Sequence, residues 1–190
     1  MAISVEIPSD YESITIKQYR DFHSATTELE RIMAICSVTK EEAEKIPIRH
    51  YGELIEIFAE GLRKETAKHF QTIRLKGKEY GFIPNLYDIS VGEYIDLTEY
   101  AKDIKKNIIK IAGILYRPVT IHIGKQYQIE PYSIKENELR EEEISAMTLE
   151  VFNGAMVFFS TLHDELHNIS SDFLSQQIKE ILEASETLTQ

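Results

Sequence analysis

The sequence predicts an α+β fold, mainly helical, with about seven helices and two β-hairpins able to join in one small antiparallel sheet. Three observations predict it. Ser or Thr stands three residues before Glu at Thr39/Glu42, Ser90/Glu93 and Ser133/Glu136, each time at the head of a helix-like run. Two stretches, 69–85 and 119–131, alternate apolar and polar residues with period 2 and carry a central Gly. Between them the apolar spacing returns to a period near 3.6.

Along the chain, "ISVEI" (3–7) alternates and stops at Pro8, as a short strand or extended arm would. "TIKQYRDFHSA" places Ile16, Tyr19 and Phe22 or His23 on one helical face behind a Thr15 cap. "TELERIMAICSV" is a second helix, and the Thr39 helix is short because Pro47 stops it. "IRHYGELIEIFAEGLRKE" is longer, with a stripe of His50 or Tyr51, Leu54, Ile57 or Phe58, and Leu62. The first hairpin turns at Lys76–Gly77. "SVGEYIDLTEYAKD" and "IKKNIIKIAGILYRP" are helical, the latter halted before Pro118. The second hairpin turns at Gly124–Lys125. "IKENELREEE" is an acidic helix, Thr148 opens the longest helix, and the tail from Ser170 adds one more. "GKEYGFIP" (77–84) echoes "GKQYQIEP" (124–131), two similar solutions to the same hairpin problem. The expectation is one domain over 1–190: an N-terminal arm 1–13, a helical part 15–66, hairpin-helix blocks 68–117 and 119–143, and C-terminal helices 148–186.

Composition removes several functions. A net charge of −11 opposes general binding to nucleic acid and to anionic lipid. The apolar runs are too short to span a bilayer, and the start lacks the basic and apolar regions of a signal peptide. The one cysteine, Cys36, has helical spacing with Leu29, Ile32 and Met33 and reads as a small core residue. "HDELH" (163–167) keeps the His spacing of a zinc helix, but Asp164 replaces the longer Glu and no third ligand follows. His163 and His167 are therefore weak metal candidates, and no phosphate loop or nucleophile elbow occurs. No catalytic residue and no cofactor is expected.

Charge is unevenly spread. Residues 102–125 carry a net of +5, and 130–150 and 151–190 carry −5 each. The blocks can pair within one chain, or they can meet between copies or with a partner, where they would set orientation and on-rate.

Two stretches resemble a known family. "LERIMAICSVTKEEAEKIPIRHYGELIEIF" (29–58) runs helix, polar break, T-x-E-E-x-x-x-I-P, then a second helix, and "YDISVGEYIDLTEYAKD" (87–103) has a matching segment. Both resemble tail-assembly chaperone-like proteins of tailed bacteriophages, loosely over residues 28–120. "REEEISAMTLEVFNGAMVFFSTL" is similar to uncharacterised phage virion-module proteins. Where such chaperones often place Gly in the first turn, this chain has Ser37.

The resemblance implies a non-enzymatic assembly protein in the host cytoplasm or the virion. It would mask aggregation-prone surface on a tape-measure protein and help tail-tube subunits polymerise. Partners would be phage tail or virion proteins, with a homo-oligomer as a further expected form. The contacts expected are Leu54 and Phe58 on one helix, Phe152, Met156 and Phe159 on another, and the cations Lys105 and Lys106. A packaged structural component and an acidic regulator of a host protein are the alternatives, with a hydrolase at His163/His167 last.

Overall fold

The computed structural model describes residues 5–85, 88–124, 126–161 and 164. The chain divides into two compact units, Met1–Ala155 and Met156–Gln190. In the second unit the described residues, 156–161 and 164, are helical.

The first unit is α+β and mostly helical. Residues 5–9 form no regular element, which leaves the extended arm of the two expected forms, and residues 3 and 4 lie outside the described residues. Helix α1 (Ile16–Ser24) starts at Thr15, whose side chain and that of Gln18 cap each other's backbone N–H groups. The same reciprocal box, with Glu as partner, opens α2 (Glu28–Cys36) at Thr27 and α3 (Lys40–Ala43) at Thr39. Ser37 ends α2 with φ 52°, a left-handed position usually filled by Gly. A 3₁₀ turn, Ile48–His50, leads into α4 (Tyr51–Arg63).

Strands β1 (Thr72–Leu75) and β2 (Lys78–Phe82) form the first hairpin. Its turn residues, Lys76 and Gly77, both have positive φ, as a tight primed turn requires. Helices α5 (Val91–Ala101) and α6 (Ile104–Leu115) follow, then β3 (Tyr116–Ile123) and β4 (Gln126–Ile129). The hairpins join through β2 and β3, with Phe82 opposite Tyr116, giving one antiparallel sheet in the order β1-β2-β3-β4. The sequence stop at Pro118 is misplaced. Helix α6 ends at Leu115, and Pro118 sits inside β3 opposite Tyr80, in a stretch kept in the sheet by its neighbours. The expected acidic helix is two pieces, α7 (Ile134–Leu139) and α8 (Glu141–Ile144), interrupted at Arg140. Helix α9 (149–161) completes the described elements.

The core explains the sequence pattern. Leu75, Tyr80, Phe82 and Tyr116 share one sheet face and are buried. Helix α6 is apolar nearly all round because α1, α5, α7 and α8 all pack on it. The other sheet face is closed locally by Tyr127, which lies across Gly81. A Cβ at Gly81 would meet the Tyr127 ring at 2.4 Å. The Tyr127 hydroxyl is 2.8 Å from the carbonyls of both Gln71 and Phe82 and shares its single proton between them. A bridge between Thr15 and Thr148 ties the start of α1 to the start of α9.

Candidate interaction surface

Most side chains of the apolar stripes expected to meet a partner are buried. Leu54, Phe58, Phe152 and Phe159 are buried, and Met156 is half-buried. Phe58 has its ring 5.1 Å from that of Phe22. Leu54, Phe58, Phe152 and Phe159 are thus core side chains, and Met156 is only partly covered. Helical periodicity marks a face that must be covered, and here the chain covers much of it itself.

His163 and His167 lie outside the described residues, while Asp164 is exposed. Among the described residues no group of three or more His, Cys, Asp or Glu is placed to hold a metal. Burial pushes the Cys36 thiol up, the reverse of what a nucleophile requires.

The acidic run is tied down. Arg20 Nη1 donates to Glu141 Oε1 at 2.7 Å, Lys76 pairs with Glu142, and Lys78 is 3.9 Å from Glu143. Tyr80 donates its phenol proton to Glu143, and burial together with that carboxylate raises its pKa. Arg140 holds Glu130 and Glu136. These partners come from α1, the first hairpin and Arg140, and among the described residues none comes from 102–124. The block of 130–150 thus pairs inside the chain, but not with the basic block whose net charge matches it.

That leaves the basic block exposed at one corner, the start of α6. Asp103 is the N-cap, accepting from the Lys106 N–H at 3.3 Å, and Glu99 takes Lys102. Lys105 and Lys106 are exposed and make no ion pair with a described residue. Between them and Lys102 sits Ile104, an isoleucine that is 39% exposed. The helix N-terminus adds partial positive charge here.

Burial lowers the pKa of His23, and the charge of Lys105 lowers it further. Lys105→Glu should therefore raise the His23 pKa, because a repulsive cation becomes an attractive anion. An NMR titration of the imidazole checks this, and an unchanged midpoint would place Lys105 away from α1.

Opposite in character is a groove of about 350 Å³ walled by α2, α3, the 3₁₀ turn and the start of α4. Its apolar lining includes Leu29, Ile32, Ala43, Ile46, Ile48 and Tyr51. Ile48 is 79% exposed, the most exposed large apolar side chain among the described residues. The cause is local. Pro47 breaks the chain out of the α3 turn, and the 3₁₀ turn after it has no buried residue. The only charged residues lining the groove are Glu28 and Glu44. Glu44 has a loose 3.9 Å contact with Lys40, exposed on both sides and worth little.

Sequence reasoning passed over this groove. Its one visible signal was Ile46-Pro47-Ile48, two isoleucines outside any helical stripe.

The second hairpin also shows apolar side chains. A register shift between Val119 and Ile121 precedes Ile121 and Ile123, both more than half exposed. Among the described residues no helix is long and apolar enough to cross a membrane. No family model, curated protein or solved structure matches the chain.

Proposed function

We propose that this chain is a non-enzymatic assembly protein of a tailed bacteriophage, acting as a tail-assembly chaperone through protein contacts in the host cytoplasm. The observation that supports this reading is the apolar groove between α2 and α4. It lies within residues 27–51 and so overlaps 29–58, one of the two stretches that carry the family resemblance.

An exposed groove of this size can take the apolar side chains of a client segment and keep them from water. The acidic exterior keeps a loaded complex soluble. The client is a phage tail protein with exposed apolar segments, and the groove replaces the buried stripes of α4 and α9 as the contact surface.

The test is genetic and structural. Deleting the gene in its phage should abolish complete tails in electron micrographs. Supplying the wild-type chain in trans should restore them, and the Ile48→Glu variant should not. Complete tails after deletion, or equal rescue by the variant, would refute the reading.

A further inference from the structure

We infer that the outer half of the second hairpin is a pH-gated flap, hinged where β3 bulges and held against the first hairpin by the contact of His122 with Glu79.

The backbone makes the flap. Strands β2 and β3 pair from Phe82–Tyr116 to Tyr80–Pro118 and no further. Proline has no N–H with which to continue the ladder. The register of β3 on β4 then shifts between Val119 and Ile121, which leaves Thr120 as an extra residue. Past this point two side chains tie the second hairpin back to the first. One is Tyr127, whose hydroxyl reaches the carbonyls of Gln71 and Phe82. The other is His122, directly opposite Tyr127 in register, with its Nε2 3.2 Å from Glu79 Oε2.

The chemistry makes the gate. Histidine changes charge between pH 5 and 8, and a tyrosine hydroxyl does not. Burial pushes the Tyr127 hydroxyl further up. The hydrogen bond with His122 holds the Glu79 carboxyl below the usual carboxylate range, so Glu79 stays ionised throughout. In acid the contact joins an imidazolium to a carboxylate, and in the neutral form only an uncharged hydrogen bond remains. The charged and titratable groups facing the pair on this side of the sheet, among the described residues, are Arg74 on β1 and Tyr127 on β4. Arg74 stands opposite Glu79 in register, and the Tyr127 ring is 6.4 Å from that of His122. Arg74 goes on favouring the Glu79 carboxylate once His122 is neutral, and both members of the pair reach water, so release strands no charge.

The flap is therefore closed in acid and loosens as pH rises. Opening lifts the Tyr127 ring off Gly81 and carries along Ile121 and Ile123, which stand on the reverse face of the hairpin. An exposed pair has a modest effect, so the gate changes a population and does not unfold the sheet.

NMR relaxation dispersion at the Gly81 and Ile121 amides of the full chain, from pH 5.5 to pH 8, reads the open population. In the wild type it should rise by about two- to fivefold over this range. His122→Gln and Glu79→Gln should hold it at the high value at every pH. His122→Lys, a permanent cation, should hold it at the low value, which a merely structural role for the imidazole would not allow. Circular dichroism checks that each variant folds. An open population that does not change with pH, a Glu79→Gln protein with the pH response of the wild type, or a His122→Lys flap that opens at pH 8 would each overturn the inference.

Discussion

Gly154→Ala is expected to lower the melting temperature by roughly 10 °C, corresponding to about 3 kcal/mol for a chain of this size. Helix propensity alone argues the other way, since Ala in a helix interior is favoured over Gly by about 1 kcal/mol. Space decides. A Cβ at Gly154 would lie 2.2 Å from the carbonyl oxygen of Lys68, 2.4 Å from its carbon and 2.7 Å from the His69 nitrogen.

These are backbone atoms, and the Lys68 N–H also donates to the Glu150 carbonyl of the same helix at 3.3 Å. No flexible side chain can swing aside, so either α9 or the segment before β1 must move. Gly52→Ala is the control, because nothing lies within 4 Å of its Cβ position in α4. It should be neutral or stabilising by about 0.5 kcal/mol. Thermal and urea unfolding of both variants reads the contrast. A Gly154→Ala protein as stable as the wild type would mean that α9 does not approach residues 68 and 69.

The contrast between these two glycines also shows which parts of the fold were legible in the sequence. Local rules worked where the physics is local. The caps at Thr15, Thr39 and Ser90 and the Lys76–Gly77 turn stand where side-chain chemistry and backbone freedom put them. The echo of the two hairpins was legible as pattern but not as role. Tyr80 is buried under helices, whereas its counterpart Tyr127 covers Gly81, and at the matching place the second hairpin has Gln128.

Long-range facts were not legible. Arg20 reaches Glu141 across 121 positions, and nothing near either residue announces it. The end of α6 failed for a related reason. "IIKIAGILY" is apolar throughout, so periodicity cannot mark where helix gives way to strand, and the next visible breaker, Pro118, lies two residues into β3. The stripe at Leu54 and Phe58 looks the same in sequence whether its cover is the chain itself or a partner. The groove arose from the opposite situation, a proline break that strands Ile48 outside any stripe.

Glu93→Ala is expected to cost about 3–5 kcal/mol, the penalty for leaving one member of a buried ion pair without its partner. Glu93 serves two structures at once. Its Oε2 accepts the Ser90 N–H at 2.8 Å, closing the cap of α5, and its Oε1 lies 2.8 Å from Arg117 Nη2 on β3. The side chains are 7% and 8% exposed, so water does little to replace either partner. The approach is short but poorly aligned, and Arg117 Nε has no hydrogen-bond partner among the described residues. Burial pushes the guanidinium pKa down and the Glu93 charge opposes it, yet an arginine in a protein does not give up its proton. Removing the carboxylate therefore strands a charge instead of neutralising it.

A double-mutant cycle separates pair from cap. Arg117→Met alone should also destabilise strongly, because it strands the carboxylate. The double variant Glu93→Ala/Arg117→Met should be less destabilised than the sum of the singles by at least about 2 kcal/mol, read from urea unfolding. The remaining loss should be about 1 kcal/mol, the value of the Ser90 box. Additive singles would show that the two groups act independently, with Glu93 working only as a cap. Strong coupling would show that this pair fixes the start of α5 against the sheet.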